Sequence, residues 1–349
     1  MINFRNHQKR VVSFSPGINL LWGENGSGKT SVLEAIYILS NGKSFKTNRL
    51  IETVKEGCSE TIITAIYDDT KTTTLHQPRL GQKKFKRNNT NSNRRDLIGK
   101  NPTILVSPEE EKITKGPHAD RRVYFNRLFS NVSKTYLFNL IKYTGAIKNR
   151  NTLLKLNKPI NEIKIWDAPV AKYGTLIWSE KKQLQKIFNK EINRVCEKYN
   201  DDIVLSVSTT TPDYIDENTF LMNLKKNVDR DIAVRRTLVG PHTDKYKISF
   251  KNKPLRSYGS QGEHKLSFVL LKVAEHGFIK QETKKTPILL LDDLFAKLDL
   301  GRGNAIFDLI KGTGQTIITN TDLAGVESHG IDTSTPNNKS IHLKRSWKN

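Results

Sequence analysis

Cysteine is almost missing from this chain: Cys58 and Cys196 are the only two among 349 residues. They are far apart, in no C-x-x-C and without histidines at zinc spacing, so neither a disulfide framework nor a metal centre is implied. That usage fits a reducing cytosol. Long apolar runs are lacking too. No stretch reaches the ~18 consecutive apolar residues of a membrane span, and Met1-Ile2-Asn3-Phe4-Arg5 has no apolar h-region, so a chain neither secreted nor embedded is expected. Acids are in deficit, with 35 Asp and Glu against 58 Lys and Arg and a formal charge of +23. Such a surface attracts polyanions by counterion release, with nucleic acid the obvious partner. A dispersed, solvated basic surface reflecting base composition has the same count, so charge alone leaves both readings open. One cluster is denser. Lys83, Lys84, Lys86, Arg87, Arg94, Arg95 and Lys100 surround the turn-forming run Asn88-Asn89-Thr90-Asn91-Ser92-Asn93, with Asp96 the one acid. It reads as an exposed basic hairpin tip.

The length suits roughly two domains of ~150 residues. Up to about residue 115 the pattern predicts short strands at Val11–Phe14, Ile18–Trp22, Thr61–Tyr67, Thr72–Leu75 and Thr103–Val106, each β-branched and bounded by turn formers. From Asp120 apolar residues recur every three or four positions, predicting one long helix that runs towards Leu156 and ends at Pro159. A second helical run follows Pro169, and the two most simply form an antiparallel pair. Packing alone and a DNA-contacting arm are both open for this region. A strand at 203–207 and a helix from Asp216 to Arg230 complete it. Alternation of helix and strand then returns: a strand at Lys247–Phe250, a helix from Gln261 to Lys280, a buried strand from Pro287 to Asp293, a helix from Arg302 to Lys311 and a strand at Thr316–Thr319. The expected architecture is an α/β domain built from both ends of the chain around a helical insert.

Gly23-Glu24-Asn25-Gly26-Ser27-Gly28-Lys29-Thr30 matches G-x-x-x-x-G-K-[ST] between a predicted strand and a predicted helix. Backbone N–H groups of such a loop wrap phosphate oxygens, Lys29 reaches the β and γ phosphates, and the Thr30 hydroxyl ligates Mg2+. Ile288-Leu289-Leu290-Leu291-Asp292-Asp293 is a Walker B arrangement. Its strand delivers Asp292 to hold Mg2+ and Asp293 to orient or deprotonate the attacking water. Tyr258-Gly259-Ser260-Gln261-Gly262-Glu263 looks like the signature loop of ABC-type ATPases. Taken alone it is ordinary helix capping; in the order phosphate loop, signature, Walker B it discriminates among ATPases. In that class the signature of one subunit closes on the γ-phosphate held by the other, through Ser260 Oγ, the Gly262 N–H and the positive helix end. Leu298-Asp299 would be the D-loop, and Thr319-Asn320 stands at the switch position.

Phe4-Arg5-Asn6, Gly42-Lys43-Ser44-Phe45, Ser107-Pro108-Glu109, Arg121-Arg122, Arg150-Asn151-Thr152, Trp166-Asp167, Gly240-Pro241-His242 and Asp292-Asp293-Leu294-Phe295-Ala296-Lys297-Leu298-Asp299, with the phosphate loop, resemble the landmarks of the RecF family of bacterial DNA repair proteins. That family is related to SMC-type heads. The resemblance covers nearly the whole chain and implies an ABC-ATPase head: an ATPase lobe in 1–115 and 235–349 and a helical arm in 116–234. It further implies a weak ATPase that uses ATP and Mg2+, dimerises on ATP and binds single-stranded, gapped and duplex DNA. Such a protein acts in the cytoplasm at the nucleoid with RecR and RecO, helps to load RecA and supports replication and the SOS response. Arg5 and Asn6 would lie near the adenine or ribose. Several differences stand out: only Met1-Ile2-Asn3 precede Phe4, so either the sheet lacks an edge strand or the start is misassigned; Glu263 replaces the usual signature glutamine; Pro117 is shifted and Asn126 replaces an aspartate; and Lys297 replaces an acid. An ABC transporter subunit or another SMC-like ATPase is the alternative, against which the basic hairpin and Arg121-Arg122 argue.

Overall fold

The computed structural model describes residues 1–68, 70–200, 202–213, 216–294, 300–322, 332 and 335–344. Residues 1–111 with 269–349 form one compact unit and residues 112–268 a second. In the first unit, five parallel strands lie in the order Lys339–His342, Ile18–Trp22, Thr316–Asn320, Ile288–Asp292 and Thr103–Val106. Their middles are continuously apolar because both faces are covered, and Leu20, Leu21, Leu290 and Ile318 are fully buried. Six antiparallel strands form another sheet in the order His7–Lys9, Ile2–Phe4, Glu60–Tyr67, Lys71–Pro78, Lys84–Arg87 and Thr90–Ser92. The helix Lys29–Asn41 packs against both sheets. Val32, Leu33 and Tyr37 meet Leu21, Leu105, Leu290 and Ile317 of the parallel sheet, while Ala35, Ile38 and Leu39 meet Phe4, Ile63, Leu75 and Phe85 of the antiparallel one. A helix apolar on two faces is stable only when enclosed in this way.

Two expectations for this unit change. Ile2–Phe4 is a strand after all, pairing with His7–Lys9 and with Glu60–Tyr67. Val11–Phe14 is irregular instead of extended, and Val11 lies in solvent because the run finds no ladder to join. The basic hairpin is present. Asn88 and Asn89 both take left-handed φ, 47° and 63°, the combination a two-residue turn needs to match strand twist. Phe85 points inward and Lys84 and Lys86 outward, so pleat alternation presents the lysines to solvent.

In the second unit the predicted long helix is two, His118–Val132 and Lys134–Lys155. Ser133 breaks it: in extended conformation, its hydroxyl accepts the Tyr136 N–H at 3.0 Å and donates to the Glu180 carboxylate. Lys134–Lys155 packs along Asp167–Tyr199. The predicted helix from Asp216 likewise divides, into Glu217–Lys226 and Val228–Val234. A three-stranded antiparallel sheet of Lys253–Pro254, Tyr246–Phe250 and Leu205–Thr209 completes the unit with the first turns of the helix Gln261–Thr283. Among the described residues, no helix is long and apolar enough to cross a membrane.

Buried polar groups hold these helices together. Arg150 is fully buried; Nε bonds Asp167 at 2.8 Å, and Nη1 bonds Asp231 at 2.7 Å and Thr237 at 2.8 Å. One cation thereby ties three helices. His242 is also structural: Nε2 lies 2.9 Å from the Thr237 carbonyl oxygen and Nδ1 2.6 Å from the Tyr143 hydroxyl. Burial lowers its pKa, so the ring is neutral, donating at Nε2 and accepting at Nδ1. Arg121 is inside too. Its guanidinium donates to the carbonyls of Ile113 at 3.0 Å and Thr114 at 3.1 Å, and Arg122 donates to the Asp244 carbonyl at 3.0 Å. Arg121 is therefore a packing element, while Arg122 is half-buried. Removing Arg150 leaves two buried carboxylates unpaired, so Arg150→Ala lowers the stability of this unit by about 3–5 kcal/mol, read as an earlier urea transition in the intact chain.

Candidate nucleotide-binding site

The strand Ile18–Trp22 runs into a loop whose glycines carry the turns. Gly23, Gly26 and Gly28 have φ of 145°, 85° and 94°, values that L side chains rarely adopt. Space is also closed: a Cβ on Gly28 would come within 2.3 Å of the His7 ring, and one on Gly23 within 2.5 Å of the Leu343 carbonyl oxygen. The N-terminal hairpin braces the loop. Asn6 Nδ2 donates to the Gly26 carbonyl at 2.8 Å, and His7 Nε2 is 3.2 Å from the Gly28 carbonyl oxygen. Burial holds the His7 pKa down, so a neutral ring supplies that donor. The helix starting at Lys29 has no side-chain cap, which leaves its first N–H groups without intrahelical partners and aimed along a positive dipole. Lys29 is folded into the loop. Its ammonium donates to the carbonyls of Gly23 at 2.6 Å and Glu24 at 3.1 Å.

Asp292 reaches this loop from the end of the interior strand Ile288–Asp292. Its Oδ1 accepts the Thr30 hydroxyl at 3.0 Å and the Thr319 hydroxyl at 2.8 Å. Burial raises the Asp292 pKa, with the neighbouring charge of Asp293 adding to it and the two threonine hydroxyls opposing it. Asp293 turns off the strand with φ 50°, a left-handed value that Asp tolerates better than most residues. Its N–H donates to Thr319 Oγ1 at 3.1 Å, and its Oδ1 has no partner among the described residues. A hydroxyl and a carboxylate held at 3.0 Å form a hard oxygen pair that suits Mg2+ once phosphate oxygens complete the shell. No group of three or more His, Cys, Asp or Glu among the described residues forms a metal site by itself. The fold therefore brings Gly23, Glu24, Asn25, Gly26, Ser27, Gly28, Lys29, Thr30, Asp292 and Asp293 to one place.

Other expected residues lie differently. Arg5 is taken up by a bidentate pair with the fully buried Glu34, at 2.8 and 2.6 Å, and a bond to the Glu52 carbonyl at 2.9 Å. It is engaged in the scaffold next to Asn6, which touches the loop. Ser260 and Gly262 belong to the second unit, at the start of Gln261–Thr283. There Ser260 Oγ accepts the Glu263 N–H at 3.2 Å and the Glu263 carboxylate accepts the Ser260 N–H at 2.7 Å. This is a capping box, in which Glu263 fills the place that glutamine also can. The Ser260 N–H, and after it the Ser260 hydroxyl, hold the Glu263 carboxyl below its usual range. Leu298-Asp299 and Lys297 lie outside the described residues. Sequence reasoning missed the brace from His7 and the double hydrogen bond of Thr319; adjacency to Asn6 and to the switch position was the only signal for either.

A phosphate loop opening an enclosed helix, two acids at the end of an interior strand of the same sheet and a capped signature helix together define an ATPase head of the ABC and SMC type. The family model for the RecF/RecN/SMC N-terminal domain matches residues 1–329. DNA replication and repair protein RecF of Lachnoclostridium phytofermentans is 34% identical over 348 residues, covering 95% of this chain and 94% of that one. RecF of Thermoanaerobacter sp. strain X514 is 35% identical over 342 residues, covering 93% and 94%. The solved structure of the recombination mediator protein RecF with ATP in the RecFOR pathway superposes with a TM-score of 0.84 at 29% identity, covering 93% of each chain. An SMC head bound to the C-terminal winged-helix domain of ScpA superposes at 0.56 with 15% identity, covering 93% of this chain and 89% of that one, a likeness of fold alone. The chain belongs to the RecF family. Because Gly28 needs both its φ and its empty Cβ position, Gly28→Ala opens the loop; hydrogen exchange of amides 23–30 rises and affinity for ATP falls at least ~10-fold.

Proposed function

We propose that this protein is an ATP-gated DNA-binding protein of recombinational repair, working in the cytoplasm at the nucleoid. The observation that carries the reading is the bond between Thr30 and Asp292, which joins phosphate loop and Walker B strand into one Mg2+-ready site. Lys29 leaves the carbonyls of Gly23 and Glu24 for the β and γ phosphates, trading two neutral acceptors for charged ones. Thr30 and Asp292 would hold Mg2+, which neutralises charge developing on the phosphates. Asp293, on its left-handed turn, accepts a proton from or orients the attacking water. One methylene shorter than glutamate, it holds that water less well, which gives the slow turnover of a switch rather than a motor. Gly262 N–H and Ser260 Oγ of a second copy supply the remaining donors to the γ-phosphate, so nucleotide joins two protomers.

In functional terms, 1–115 and 235–349 act as the ATPase lobe and 116–234 as the arm. The partners are DNA, single-stranded, gapped or duplex, and RecR, with RecO and RecA in the same pathway. Support for this reading comes from the likeness to nucleotide-bound RecF structures described as belonging to the RecFOR pathway and from the outward lysines of the basic hairpin. Supporting RecA loading at gaps, replication and the SOS response follows from the same placement.

With ATP and Mg2+, light scattering finds wild-type dimers that decay as ATP is consumed, Lys29→Ala monomers at every concentration, and long-lived Asp293→Asn dimers. Wild-type protein that stays monomeric, or Asp293→Asn turning over as wild type, overturns the gate. Charge reversal at the hairpin, Lys84→Glu with Lys86→Glu, weakens DNA binding on every substrate. It also makes the slope of log affinity against log salt shallower by about one per lysine.

A further inference from the structure

Thr319 lies on the strand Thr316–Asn320, directly beside Asp292 in the parallel register, and is fully buried. Its hydroxyl makes two short bonds of opposite sense, with the Leu291 carbonyl oxygen farther off at 3.5 Å. The hydrogen goes to Asp292 Oδ1 at 2.8 Å, and the oxygen accepts the backbone N–H of Asp293 at 3.1 Å. A hydroxyl can do both at once because it carries one donor and two lone pairs. The consequence is a chain from the Asp293 backbone through Thr319 to the Asp292 carboxylate, continued by Thr30 on the same oxygen at 3.0 Å.

We propose that Thr319 is a positioning residue that couples the two acids: it sets the carboxylate plane of Asp292 toward the cation and pins the left-handed turn that aims Asp293. This rests on the ATPase reading above and deepens it. Asp292 shares its Oδ1 between two threonine hydroxyls, so the carboxylate keeps one rotamer while Oδ2 is left for the cation's shell. Asp293 leaves the strand at φ 50°, a strained conformation that persists only where surrounding bonds over-determine it. Among the described residues, the Thr319 hydroxyl is the side chain that holds its N–H. Residues with their own chemistry intact can still fail when the group that aims them is lost, and ~1 Å of misplacement costs about 100-fold in rate.

Thr319→Val keeps the β-branched shape of the strand and deletes the hydroxyl; Thr319→Ser keeps the hydroxyl and deletes a methyl. Two quantities are read: the Mg2+ concentration at half-maximal binding of a fluorescent, non-hydrolysable ATP analogue, and the single-turnover rate of ATP cleavage at saturating Mg2+. In Thr319→Val the Mg2+ midpoint rises ~5- to 10-fold and cleavage slows ~10- to 100-fold, with analogue affinity at saturating Mg2+ within about threefold of wild type. Thr319→Ser returns both to within about threefold. A valine variant with the wild-type midpoint and rate overturns the proposal. So does a serine variant as impaired as valine, since packing rather than the hydroxyl is then at issue. If the valine variant does not fold, Thr319→Ala removes the same hydroxyl and the same comparison applies. Wild-type protein that binds no analogue at any Mg2+ concentration instead overturns the ATPase reading beneath it, and the proposal falls with that reading.

Discussion

The enclosure of one helix governs the first unit. Lys29–Asn41 carries apolar side chains on two faces, and a sheet covers each: parallel strands on one side, antiparallel on the other. Burying five or six large side chains this way contributes about 1.5–3 kcal/mol apiece, so the helix cannot shift without opening two cores. Its N-terminus is the phosphate loop, and each sheet sends one instrument to it. The parallel sheet delivers Asp292 and Thr319; the antiparallel sheet delivers the turn bearing Asn6 and His7. A site that must bind and release triphosphate is thus mounted on the least deformable part of the unit.

Much of this was legible because it depends on local spacing. G-x-x-x-x-G-K-[ST] fixes glycine at Gly23 and Gly28, both of which need positive φ, and Ile288–Asp292 has the unbroken apolar run of a strand buried on both faces. What escaped depends on partners distant in sequence. Periodicity from Asp120 onward cannot reveal that Glu180, on another helix, holds Ser133 extended and cuts one helix into two. Val11–Phe14 has strand composition but no strand to pair with, and composition is silent on pairing. Arg5 and Arg121 illustrate the same limit: a guanidinium looks alike in sequence whether it faces a ligand, a buried glutamate or a pair of helix carbonyls.

The charge count needs the structure before it means anything. Five Lys or Arg side chains are buried among the described residues, Lys29, Arg121, Arg150, Lys181 and Lys272, against eight buried acids. Lys181 pairs with Asp244 at 2.5 Å, and Lys272 lies between Glu110 and Glu275 at 3.2 and 3.0 Å. The interior therefore absorbs more negative than positive side chains, and the solvent-facing excess of basic groups exceeds the formal total. A polyanion meets a surface more basic than the composition states.

The five-stranded parallel sheet draws Ile18–Trp22 and Thr103–Val106 from one end of the chain and Ile288–Asp292, Thr316–Asn320 and Lys339–His342 from the other. During synthesis, Ile18–Trp22 therefore waits for its partner Lys339–His342 until roughly three hundred further residues are made, about 15–60 s at about 5–20 residues per second. Residues 112–268 face no such delay, since their contacts close among themselves. On the ribosome the intervening unit can be finished while the nucleotide-binding sheet is still an open, sticky edge, which makes the nascent chain a natural client for chaperones until its final strand docks.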